Sequence, residues 1–148
     1  MPNTLLGHNN ARDDRKYQGY AIFSATCAIF AAAANLGLYA LGRAANAALR
    51  VDPGAGEPNH LIVPADVAWK SVAPLAIGAL VLAFAARISK QWTIAIVVIG
   101  IVIAAISVPL VFLNSHDATT GLLLASMHTI VAAAFAVIGA AACRFARK

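Results

Sequence analysis

Four long apolar runs, separated by short polar stretches, set the pattern of the chain. They cover residues 20–42, 67–86, 92–113 and 121–142. At about 1.5 Å of rise per residue, each run is long enough as a helix to cross a hydrocarbon layer of about 30 Å. Lipid offers the backbone no hydrogen bonds, so a run that enters it must satisfy its own amides and carbonyls as a helix. The pattern predicts an all-α fold, an integral membrane four-helix bundle. Residues 1–18 are polar and mixed in charge, and read as a cytoplasmic tail or a short surface helix. "RAANAALR" (43–50) extends the first helix, and "VDPGAGEPNHLIVPAD" then breaks it with prolines and glycines. Loop 43–66 is the largest extracytoplasmic segment. It reads as a solvated connection with one buried anchor rather than as a cover over the bundle's mouth. "ANA" (45–47) resembles a signal-cleavage site, but the apolar run before it exceeds the about 7–15 residues of a signal core, so the run reads as a retained span.

Composition supports this reading. Hydrophobic residues make up 61% of the 148 and charged residues only 11%, too little charge to coat a soluble domain of this length. The net charge of +5 raises the question of nucleic acid. The basic residues lie at the margins of the apolar runs and form no stripe interleaved with aromatics, so the lipid bilayer is the expected partner and nucleic acid is not. Arg12, Arg15 and Lys16 precede the first run, Arg87 and Lys90 separate the second and third, and Arg144, Arg147 and Lys148 follow the fourth. Arg43, Arg50 and Lys70 oppose them, and the third loop has no Lys or Arg. This bias places both termini in the cytoplasm and the chain in the plasma membrane. Cys27 and Cys143 form no CxxC motif and read as small packing residues.

Close backbone approach is what joins helices in lipid. The small-residue pairs Ala33/Gly37, Gly100/Ala104 and the series Ala132, Ala136 and Ala140 are candidate packing faces, within one protomer or between copies. Pro74 and Pro109 leave the carbonyls of Lys70 and Ala105 without their helical donors, and the hydroxyls of Ser71 and Ser107 are candidates to replace them.

Candidate chemistry is sparse. His128 falls near the middle of the fourth run, where a charged imidazole would be costly, so it is expected neutral and facing other helices. An interhelical hydrogen bond is the preferred reading; a proton relay, metal ligand or ligand contact is the functional one. Asp66 and Lys70 lie one helical turn apart, with acid before base, and read as a capping and ion-pair arrangement. Asp117 or Thr119 can cap the fourth helix. Asn35, Ser107, Asn114 and Ser126 fall in the same outer half, and together with Lys70, Asp66, Asp117 and His128 they suggest a polar vestibule. His60, His116 and Asp117 lack metal-ligand spacing, and no cofactor motif is present: no P-loop, no HExxH, no GxSxG and no CxxCH.

With these runs laid out, the chain resembles an uncharacterised family of small four-helix membrane proteins from actinobacteria. The resemblance covers residues 47–141. It rests on "LIVPADVAWKSVAPL", "QWTIAIVVIG", "ISVPL" and "LLLASMHTIVAAA", with the Met127–His128 pair its most specific piece. It implies four spans and carries no activity. The leading expectation is a non-enzymatic accessory or structural subunit that acts through lipid, a membrane-protein partner or a second copy of itself. The alternative is small-molecule or ion binding and transport through a polar outer-half cavity lined by Lys70, Asp117 and His128. An enzyme ranks third, because its ionisable groups would need to cluster.

Overall fold

A computed structural model of the chain describes residues 4–54 and 56–146, with side chains described from Arg15 onward. Four helices and one small hairpin make up the fold: α1 (Thr4–Ala44), β1 (Arg50–Val51), β2 (His60–Leu61), α2 (Pro64–Ile88), α3 (Lys90–Leu113) and α4 (Ala118–Phe145). All four helices are long and apolar enough to cross a membrane. The polar amino-terminal stretch read as a tail or separate surface helix continues α1 back to Thr4. The side chain of Arg12, and Arg147 and Lys148, which entered the charge-bias reading, lie outside the described residues.

The helices pack in a ring. α1 and α3 each lie against α2 and α4, α2 and α4 also meet across the centre, and α3 leans chiefly on α4. A single extended residue, Ser89, joins α2 to α3. Its N–H closes α2 on Ala85 O, and its hydroxyl accepts from Trp92 N at 3.2 Å to start α3.

Two cores stack along the bundle. Near the termini, Ala28, Leu75, Leu82, Ile138 and Ala142 are buried, and Tyr20 donates to Ala79 O at 3.1 Å. Below them Tyr17 and Tyr20 meet the Phe145 ring edge-on, and Arg87 lies 4.5 Å from the Tyr17 ring centre. Near the hairpin, Tyr39, Leu49, Ile62, Val67 and Met127 form the second core. The outer surface is strongly apolar: Phe30, Leu80 and Phe84 are 77%, 72% and 67% exposed. Along α3, Thr93 is the one fully buried residue among those described.

Small residues set the close approaches, at positions that differ in part from the expected faces. Ala33 and Gly37 face outward. Gly139 rather than Ala140 receives Val97 of α3, where an added Cβ would come within 2.5 Å. The Phe135 ring of α4 is wedged between Gly78 of α2 and Gly100 of α3, where added Cβ atoms would lie 2.7 Å and 2.3 Å from it. The prolines also differ from expectation. Ser71 donates to Val67 O at 2.7 Å and Ser107 to Ala104 O at 2.8 Å, so neither hydroxyl serves the carbonyl that its neighbouring proline leaves open.

The Phe135 wedge yields a paired prediction. Gly100→Ala displaces the ring and costs about 1–3 kcal/mol, as overpacking does. Gly37→Ala, which meets open space, changes stability by less than about 0.5 kcal/mol. Thermal unfolding of the two variants in the same detergent checks both.

Candidate functional site

Loop 43–66 is more than a solvated connection. After α1 the chain turns through Asn46 and Leu49, both at positive φ, a strained conformation for a leucine. Leu49 is held there from both sides: its N–H donates to Thr120 Oγ1 at 2.9 Å, and its carbonyl accepts from Ile62 N at 2.8 Å. Leu49 and Ile62 are both buried. The short antiparallel hairpin pairs Arg50 with Leu61 and Val51 with His60, and Val51 also bridges to Ser115 beyond α3. Asp52 N donates to Asn114 O at 2.9 Å, and His116 N to Arg50 O at 3.1 Å. The hairpin is thus docked over one end of the bundle.

Two histidine–aspartate contacts fasten it. His60 Nε2 lies 3.0 Å from Asp66 Oδ2, joining β2 to α2, and His116 Nε2 lies 3.1 Å from Asp52 Oδ1, joining the α3–α4 turn to the hairpin. Asp66 also accepts from Val63 N at 3.1 Å, which caps α2. Asp117 caps α4 by accepting from Thr120 N at 2.9 Å, and it reaches Ala48 N at 3.1 Å across the α1 turn. His60, His116 and Asp117, the weak metal candidates, therefore serve separate partners, and the described residues hold no cluster of three metal-binding side chains.

Beneath the hairpin lies a cavity of about 640 Å³ between α2, α3 and α4. Its size falls within the range of small-molecule sites. At the hairpin end its wall includes Asp52, Asp66, Lys70 and Asn114; at mid-depth, Asn35, Ser71, Ser107 and His128; at the far end, the apolar Gly100 and Phe135. Six of the eight candidate residues therefore share one wall: Asn35, Asp66, Lys70, Ser107, Asn114 and His128. Asp117, expected among the lining residues, is occupied in capping. Ser126 faces outward and donates to Leu122 O at 2.8 Å.

The polar residues differ in what remains free. Both carboxylates on the wall are engaged by the hairpin contacts, and Ser107 is bonded to its own helix. The Asn35 amide ties three helices together: its NH2 donates to Ser71 Oγ of α2 at 2.8 Å and to Met127 O of α4 at 3.4 Å. His128 does not make the expected interhelical bond. Its Nδ1 lies 2.9 Å from Leu124 O, one turn back on its own helix. Lys70, exposed at the cavity's wall, has no hydrogen bond or ion pair with any described residue, the turn-spaced Asp66 included.

The chain belongs to the DUF6069 family, a family of unknown function. The match covers residues 17–145, from before the first apolar run to the end of α4, so it takes in most of α1 as well as the segment that carried the sequence resemblance. No curated protein matches this DUF6069 member, and no solved structure does.

Ser71 and Phe135 are wall residues that the sequence did not mark as part of a site. Ser71 was legible only as a neighbour of Pro74. Phe135 gains its place from two glycines on other helices, for which the linear pattern carries no signal.

The hairpin's fastening responds to acid. The Asp117 carboxyl is held below its ordinary range chiefly by the Thr120 hydroxyl and N–H, and Asp52 chiefly by Asn59 N–H and then His116. Groups depressed in the folded state contribute fully above the unfolded value and lose that contribution as pH falls through the folded one. Hydrogen-exchange protection of the Leu49 and Ile62 amides is expected to be flat from about pH 7 to 5 and to fall below about pH 4. Asp117→Ala weakens the same protection at neutral pH, by about 1 kcal/mol of capping energy.

Proposed function

We propose that the chain is a multi-pass plasma-membrane protein, with both termini cytoplasmic, that binds a small amphiphile in the cavity beneath its hairpin. The observation that carries this reading is the cavity: large, mostly apolar, and supplied with a few polar groups at one end. Four apolar helices and an apolar outer surface support the membrane setting. The distribution of Lys and Arg supports the orientation, with the hairpin outside.

The cavity's polarity suggests how such a ligand lies. Its apolar body rests against the far end, by Gly100 and Phe135, and its head group points toward the hairpin. Lys70 supplies an ammonium there that makes no hydrogen bond or ion pair with a described residue, while Asp52 and Asp66 accept from histidine and backbone donors. An anionic head, carboxylate or phosphate, suits that arrangement.

A second reading, an accessory subunit that docks against a partner helix, is favoured by the outward face of α3, where Ile99, Ile106 and Leu113 are exposed. The cavity ranks the binding reading above it, because a pure docking role needs no internal space.

The test uses the full chain in mild detergent with stearate as an anionic amphiphile. Saturable binding at one site is expected. Ala104→Trp, which fills the cavity, abolishes it, and Lys70→Met weakens it about tenfold, the size of a lost charge-assisted contact. Binding that is absent, or unchanged in both variants, overturns the reading.

A further inference from the structure

The cavity wall carries acceptors that the protein itself leaves unpaired. A carbonyl oxygen only accepts, so the contact between His128 Nδ1 and Leu124 O places the ring hydrogen on Nδ1. In the neutral imidazole, Nε2 is then an acceptor. It sits on the ring edge away from its own helix, and no described residue donates to it.

Asn35 shows the same imbalance. Met127 O can only accept, and Ser71 spends its hydroxyl hydrogen on Val67 O, so both contacts require the NH2 side of the amide. This fixes the amide's orientation and leaves Oδ1 without a partner in a side chain only 2% exposed. Buried acceptors without donors are uncommon in folded proteins. Asn35 Oδ1 is such an atom, and the part-buried His128, whose Nε2 has no donor among the described residues, lines the same cavity.

Side-chain direction separates these acceptors from the Lys70 ammonium. Asn35 bridges Ser71 and Met127, so the backbones of Lys70 and His128 lie at about one level; the long lysine side chain reaches back toward Asp66, one turn nearer the hairpin, and carries its ammonium above the imidazole. A ligand with its head at Lys70 therefore passes His128 along its apolar body. Mid-depth polarity of a single kind, acceptor without donor, selects a ligand with a donor at that level.

We infer that the ligand of this cavity is an amphiphile bearing a hydroxyl or N–H part-way along its apolar body, and that His128 Nε2 receives that donor. This rests on the binding reading above and adds a specificity-determining residue to it. A plain acyl chain fills the same space but leaves Nε2 unpaired.

The experiment compares stearate with its mid-chain monohydroxy analogues on the full-length protein in one detergent. The wild type is expected to bind the best-placed hydroxy analogue about threefold to tenfold more tightly, the worth of one net hydrogen bond. H128F keeps apolar bulk without an acceptor and is expected to lose that preference while still binding stearate. H128Q restores an acceptor near the Nε2 position and is expected to recover part of it; this variant and the wild-type comparison decide the matter if H128F does not fold. Equal binding of all probes by the wild type overturns the donor inference and leaves amphiphile binding standing. A preference that persists in H128F overturns the role of His128. Failure to bind any probe overturns the underlying reading, and the inference with it.

Discussion

The Asn35 amide is the interaction on which the rest of the bundle depends. One side chain of α1 donates to Ser71 of α2 and to the Met127 carbonyl of α4, at the level where the two apolar cores meet. A buried polar contact between helices has one geometry that satisfies it, so it helps to fix their register where apolar packing alone allows sliding. It draws α1, α2 and α4 into one unit. α3 is outside that unit: it is joined to α2 by the single residue Ser89 and lies chiefly against α4 through Val97 on Gly139 and Phe135 on Gly100. The cavity lies where α3 faces α2 above that wedge.

The hairpin end completes the arrangement. Asp117 and Thr120 hold the α1 turn through Ala48 and Leu49, Asp66 and His60 hold β2, and Asp52 and His116 hold the α3–α4 turn. The acids that a sequence reading assigns to a vestibule are thus mostly structural. Their oxygens are taken up by histidine and backbone donors, whereas the Lys70 ammonium makes no hydrogen bond or ion pair with a described residue.

The helical architecture was legible because lipid-length apolar runs leave few alternatives, and every one of the four runs lies in a helix. Candidate residues were legible as a set because polar side chains in apolar runs stand out; Asn35, Lys70 and His128 are visible on inspection. Their roles were not. His128 bonds Leu124 on its own helix, a choice set by rotamer. Ser126 lies on α4 and Asp117 just before it, yet one faces outward and the other caps, a distinction of helical phase and end geometry. The hairpin escaped notice because its pairing joins residues across a proline- and glycine-rich loop, and its anchors, Thr120 and Asn114, lie far away in sequence. The outward position of Ala33 and Gly37 makes the same point: small-residue spacing identifies a face, and only the packed bundle says what that face meets.

The central claim, that the space between α2, α3 and α4 holds an amphiphile, is tested most directly by photocrosslinking in membranes. A fatty acid with a photoreactive group in its chain would be incorporated into vesicles containing the protein, and the adducts mapped by mass spectrometry. The account predicts adducts concentrated on the cavity wall, at Ile103, Val131 and Phe135, and suppressed by excess unlabelled fatty acid. Adducts confined to the outward ribs, at Phe30, Leu80 and Phe84, and insensitive to competitor would contradict it.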